Sequence, residues 1–238
     1  MLAHVSGRAR HGRLDGCWFM AEFRWFGHNC FRIRAREGTV LIDPVGRNTG
    51  YAMPKQTADI VTLSHDHPGH SNLDAVKPEY RLVNGPGEYE LHEVFITGIR
   101  TYHDEKSGQE RGYNTVYVIE VEGLVICHLG DLGHPLSAEQ AEAMAGADVL
   151  MIPVGGGTVL DPVRSAELIG QLEPKIVIPM QYATAVGDKA LSGLDIFCKQ
   201  LGIEQPAPED KLTIRTKTDV GETMRVIVLA PESEAVKR

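Results

Sequence analysis

Nowhere in its 238 residues does the chain carry an apolar run approaching the roughly 20 residues that a membrane-spanning helix needs. Basic residues are in deficit, 24 Lys and Arg against 32 Asp and Glu, for a formal net charge of −8. A surface of that sign repels phosphate backbones, so neither a membrane nor a nucleic acid is expected as a partner. Cysteines are few and scattered (Cys17, Cys30, Cys127 and Cys198), and none forms a CxxC pair, which excludes a cysteine-built zinc knuckle or dithiol motif. Scattered thiols of this kind suit a reducing, cytoplasmic setting. There is no GxSxG for a serine nucleophile. Cys127 and His128 are adjacent in a strand and face opposite sides, so they make no Cys–His pair. The glycines Gly155-Gly156-Gly157 lack the following Lys-Ser/Thr of a phosphate loop. The first 19 residues are rich in Arg, Gly and His and lack the apolar core of an export signal. They read as a mobile extension, with Met20 as the natural start and one domain over 20–238.

What is present is ordinary for a globular chain: 42% hydrophobic and 24% charged residues, no linker-like stretch and no internal repeat. Strands are predicted over 21–25, 31–35, 40–42, 60–63, 81–83, 94–97, 115–120, 125–127, 149–153 and 176–179, with a last hairpin from 212–215 and 224–229. Helices carry clear start signals. Ser137-x-x-Gln140 is a capping box, Asp161-Pro162 an N-cap followed by proline, and a third helix opens at Ser192 and stops at Gly202. Strands dominate the first half and alternate with helices in the second, which predicts an α/β domain.

The chemistry concentrates in Leu63-Ser64-His65-Asp66-His67-Pro68-Gly69-His70, directly after a buried strand. Side chains two apart in extended backbone point to one side, so His65 and His67 can aim at one point while Asp66 faces away. Pro68-Gly69 turns the chain, which lets His70 return. Neutral imidazole suits zinc, iron or another borderline divalent ion.

This segment resembles the HxHxDH motif of the metallo-β-lactamase superfamily. Further stretches follow in the family's order. Asp43 in Leu41-Ile42-Asp43-Pro44 resembles its early buttressing Asp. His103 resembles the third ligand His, Asp131 in His128-Leu129-Gly130-Asp131 the metal-bridging Asp, and Gln181 stands where the last ligand His is expected. The similarity covers residues 20–230. With Gly27-His28 near the start, it lies nearest the zinc-dependent hydrolases related to ascorbate-6-phosphate lactonase. The resemblance implies a four-layer αββα sandwich with the metal at one edge. It implies a metal set drawn from His65, His67, His70, His103 and Asp131, with Asp131 and His70 serving catalysis. It also implies hydrolysis of a small ester, lactone or phosphate-bearing substrate through a metal-bound hydroxide.

Two positions depart from the pattern: Gly69 replaces the Asp of HxHxDH, and Gln181 replaces the final His. Both losses fall on the second metal, so one Zn2+ per chain is expected, with Fe or Mn as alternatives. The competing expectation is a degenerate member that binds a metal or small ligand without efficient hydrolysis. His28 is either a pocket residue or a turn residue, and His128 either a spare ligand or a donor that supports the ligands from behind, or else a loop histidine bonded to backbone. His134 flanks Asp131 and is placed in the pocket with Gln181. Arg111 and Asn114 are candidate substrate contacts, with a salt-bridged loop the default for Arg111. A small-molecule substrate and a possible homo-oligomer complete the expectations.

Overall fold

Alternating burial explains the first sheet. In β1 (Ala21–Trp25) and β2 (Phe31–Ala35), Ala21, Phe23, Trp25, Phe31 and Ile33 turn inward, while Glu22, Arg24, Arg32 and Arg34 stay only partly covered. β3 (Thr39–Ile42) and β5 (Ile60–Thr62), separated by the short β4 (Tyr51–Ala52), are covered on both faces. Val40, Ile42 and Ile60 join the main core, whereas Leu41 and Val61 face a smaller cluster with Phe26, Val45 and Tyr51. That outer side is clothed by loops and the 3-10 turns Arg47–Thr49 and Leu73–Ala75.

The second sheet begins with β6's neighbours in sequence. After β6 (Arg81–Val83) come β7 (Gly87–Leu91), β8 (Val94–Tyr102), β9 (Tyr113–Val121) and β10 (Leu124–His128), then α1 (Ala138–Ala143). β11 (Val149–Pro153), α2 (Pro162–Leu172), β12 (Ile176–Met180) and α3 (Leu194–Gln200) continue the chain, followed by β13 (Leu212–Ile214), β14 (Arg225–Val226) and β15 (Glu234–Ala235). β11 and β12 are buried at every position, as expected of parallel strands with helices on one face and a second sheet on the other. The strand orders are β13-β1-β2-β3-β5-β6 and β14-β12-β11-β10-β9-β8-β7, with β15 pairing β4 separately.

The computed structural model describes residues 21–232 and the backbone of 234–235. The expected extension over 1–19, with His4, His11 and Cys17, and the start at Met20 lie outside the described residues. Cys30, Cys127 and Cys198 are buried free thiols. Among the described residues no helix is long and apolar enough to cross a membrane.

Helix starts follow their signals. The Ser137–Gln140 capping box is formed in both directions, and the Asp161 carboxylate accepts from Val163 and Arg164 N–H. The third helix begins at Leu194 rather than Ser192, because Gly193 takes the extended cap conformation. The expected terminal hairpin is a correction: β13 pairs β1 in one sheet, and β14 pairs β12 in the other. Both segments have strand composition, but their partners lie on different layers, and local pattern carries no pairing information.

Pairing directions place the site. β3 and β5 are parallel, and β1, antiparallel to β2 as β2 is to β3, runs with them. By the same reasoning β8 runs with β10, β11 and β12. The residues after the carboxyl ends of β1, β3, β5, β8, β10 and β12 therefore gather at one edge, as ligand sites do in α/β sheets.

Candidate metal centre

Asp43 organises the floor of the site. Its carboxylate accepts the Ser64 N–H (2.7 Å) and the Ser64 hydroxyl (2.7 Å), and it meets His70 Nδ1 at 3.3 Å. A buried carboxylate can only accept, so His70 carries its proton on Nδ1 and turns Nε2 into the cluster. The Ser64 hydroxyl, having given its proton to Asp43, accepts from His65 Nδ1 at 2.9 Å, which leaves His65 Nε2 with a free lone pair. One aspartate thereby sets the ring orientation of two histidines.

Asp131 is the centre. Its Oδ2 lies 2.8 Å from His103 Nε2, 3.4 Å from His70 Nε2 and 3.8 Å from His65 Nε2. Its Oδ1 accepts two amide N–H groups, from Asn29 and Gln181, each at 2.6 Å. The loop holding it is built by Asn114, which accepts the Asp131 N–H (2.8 Å) and donates to Leu129 C=O and Thr101 Oγ1. Gly130, at φ +56°, has room for no side chain: a Cβ would sit 2.4 Å from Asn114 Oδ1.

His65 and His67 stack at 5.8 Å between ring centroids, His65 meets His70 at 4.4 Å, and His103 stands edge-on to His65 at 5.2 Å. Donor atoms of His65, His67 and His70, and separately of His65, His103 and Asp131, lie within 4.8 Å of one another. That spacing and the free imidazole lone pairs fit a divalent borderline ion.

The electrostatics point the same way. Burial pushes His65 down to about 4 and His28 down to about 3, so both are neutral. Against the pull of burial, the Asp131 charge and hydrogen bonds to Asp131 and Asp43 raise His70 to about 10. His103 is raised by its bond to Asp131, again against burial. Asp131 is held well below the carboxylate range, where His70 and His103 outweigh desolvation. Lone pairs facing one carboxylate demand a cation, and without a metal a proton takes its place. Asp43, His28 and Gln181 all adopt left-handed backbone, at φ 44°, 51° and 50°. Such conformations cost roughly 1–3 kcal/mol each and cluster at functional sites.

His28, half-buried, belongs to the pocket: its Nε2 is 3.2 Å from His70 Nε2 and 3.3 Å from Gln181 Nε2. The neighbouring candidates are placed as follows. His128 does not enter the cluster. Its Nε2 donates to Asn29 C=O (3.0 Å) and its Nδ1 accepts from Gly130 N–H, so the backbone-bonded reading holds. His134 is spent on the Tyr102 N–H (3.1 Å) and Pro135 C=O, where it supports the strand end before His103 instead of lining the pocket. Asn114 is fully buried, spends its amide on the Asp131 loop and borders the smaller of the two cavities described below, while exposed Arg111 gives its backbone N–H to Asp104 and forms no ion pair among the described residues. Gly155 serves packing: a Cβ there would fall 2.0 Å from the Gln181 carbonyl. Sequence reasoning missed Asn29 and Ser64. Their one local signal was a polar residue beside a site histidine, in His28-Asn29 and Ser64-His65.

Two cavities flank the histidines. A cleft of about 910 Å³ touches His28, His67, Gln181, Arg47 and Lys189. A second, of about 520 Å³, touches His65, Leu73, Leu82, Arg100 and Tyr113.

Comparison with known proteins agrees with this geometry. Residues 22–181 match the beta-lactamase superfamily domain. A UPF0173 metal-dependent hydrolase of Thermoplasma volcanium is 30% identical over 67% of this chain and 82% of its own. One from Thermococcus onnurineus is 28% identical over 69% and 86%. A solved Thermotoga maritima structure, assigned to the Zn-dependent hydrolases of the metallo-β-lactamase superfamily, superposes with TM-score 0.72 at 33% identity, covering 88% of this chain and 98% of that one. The chain belongs to the metallo-β-lactamase superfamily, alongside the UPF0173 metal-dependent hydrolases.

Proposed function

We propose that the chain is a hydrolase of a small ester, lactone or phosphate-bearing substrate, working with one zinc ion held by His65, His67, His103 and Asp131. The observation that carries this reading is Asp131 Oδ2 at 2.8 Å from His103 Nε2 and 3.8 Å from His65 Nε2, with the His67 donor atom within 4.8 Å of that of His65. A divalent ion there supplies Lewis acidity and a hydroxide nucleophile near neutral pH.

The chain's own residues do the rest. With an ion bound, Asp131 would orient the water nucleophile, and its carboxylate is kept from rotating by Asn29 and Gln181, which donate to Oδ1. His70 holds a proton at Nε2 next to Asp131, backed by Asp43. The two cavities are of small-molecule size. In a chain of net charge −8, Arg47 and Lys189 on the larger cleft favour an anionic group, and Leu73, Leu82 and Tyr113 on the other receive an apolar one. The reading is of a cytoplasmic enzyme with no nucleic-acid or membrane partner.

Gly69 and Gln181 favour a second reading, a metal- or ligand-binding protein without efficient turnover. The two separate on a panel of lactones, phosphodiesters and simple esters, with protein of measured metal content. Turnover that rises with zinc loading and disappears in His67→Ala is the expected result. A metal-loaded protein inert on every substrate class would favour the second reading, and a protein that takes up no metal would sink the zinc-hydrolase reading and leave ligand binding alone.

A further inference from the structure

Gln181 does more than mark a lost ligand. Its side-chain nitrogen is 2.6 Å from Asp131 Oδ1, and its orientation follows from that distance. Turned the other way, the amide would set two oxygens, one of them charged, at hydrogen-bond range with no proton between them. The second amide hydrogen faces His28 Nε2 at 3.3 Å. His28 therefore spends its inward lone pair as an acceptor. Asn29 occupies the remaining approach to Asp131 Oδ1, also as a donor. Both approaches to Asp131 Oδ1 are thus taken by N–H groups where an ion would have to sit, and the oxygens of the same two amides, turned away from it, have no hydrogen-bond partner among the described residues.

Charge balance agrees. Asp43 and Asp131 are the two carboxylates buried against the imidazoles, and together they offset one divalent ion. A second ion would bring two further positive charges into a site where His28, His70 and Gln181 add no anion, and unbalanced buried charge is costly. Gly69 offers no carboxylate, and a Cβ there would sit 3.1 Å from His67 Nδ1 and 3.2 Å from Thr49 Cγ2, so an acidic side chain is not easily accommodated. The Gln181 segment is also fixed from behind, since its carbonyl packs against the backbone of Gly155.

We infer that the Gln181 amide, donating at once to Asp131 Oδ1 and His28 Nε2, fills the place of a second cation, which makes this site mononuclear by construction. Gln181 and His28 are positioning residues: they hold Asp131 without binding metal. The inference rests on the metal-binding reading proposed above and deepens it.

Titration of metal-free protein with Co2+, followed by visible absorbance and calorimetry, tests it. Native protein should saturate at one equivalent, and His28→Ala should still bind one. Gln181→Glu keeps the shape but replaces the donors with an anion. It should take a second equivalent with a new absorbance band, and its metal-free form should melt lower and recover with metal. Native protein binding two equivalents, with His28→Ala reduced to one, would overturn the inference by making His28 a ligand. A Gln181→Glu protein that folds, as judged by its melt, yet stays at one equivalent would overturn it as well. Failure of the native chain to bind any Co2+ or Zn2+ would instead defeat the metal-dependent reading itself.

Discussion

The two sides of Asp131 are built on opposite principles. Around Oδ2 the chain gathers imidazole nitrogens: His65, whose Nε2 lone pair is freed by Ser64, His103 from a strand end, and His70, turned by Asp43. Around Oδ1 it presents donors, the amides of Asn29 and Gln181. One carboxylate thus faces a cluster of imidazoles suited to a cation on one side and neutral hydrogen-bond partners on the other. The difference teaches that a missing ligand need not leave a hole. A polar side chain of similar reach satisfies the same oxygen without any ion.

The largest effect expected from breaking this arrangement is at Asp131 itself. Asp131→Ala removes the shared oxygen and should lower zinc affinity by more than about 100-fold, beyond the range usual for residues that only support ligands. Competition with a chromogenic chelator measures it, and an affinity within a few-fold of native would show that the histidines suffice alone. Asp43→Asn comes next. It weakens the hold on His70 and Ser64 and should cost roughly 10–100-fold in zinc affinity, read by the same competition.

Asn114→Ala leaves the buried Asp131 N–H without an acceptor and should destabilise the chain by about 1–3 kcal/mol in urea unfolding. A loss no greater than that of a surface substitution would mean that water takes over the bond.

A smaller effect sharpens the electrostatic side of the comparison. In metal-free protein His28 and His65 stay neutral down to about 3 and about 4, below the 6.5 of the unfolded chain. Unfolding therefore takes up protons as pH falls below 6.5, and stability declines toward pH 4. His70 keeps its proton up to about 10, so above 6.5 unfolding releases one and stability declines again. Melting temperature should peak near pH 6.5 without metal. A metal-free protein whose stability climbs steadily between about pH 7 and 9 would contradict the His70 assignment.

The local signals in the chain proved sound where the physics is local. Period-two burial in β1 and β2, the Ser137 and Asp161 caps, and the i, i+2 placement of His65 and His67 all rest on geometry within a few residues. The pairing of β13 and β14 with different sheets, and the diversion of His128, His134 and Asn114 into support roles, rest on contacts that no local window contains.

From sequence alone came the superfamily motif, the histidine set, Asp131, and the fact that Gly69 and Gln181 break the pattern. Only the tertiary structure decided what Gln181 does. Its partners, Asp131 and His28, lie 50 and 153 residues away, and Asn29 reaches Asp131 across 102. Whether an amide offers its oxygen or its nitrogen is settled by the charge it faces, and that charge arrives only when two sheets bring their strand ends to the same edge.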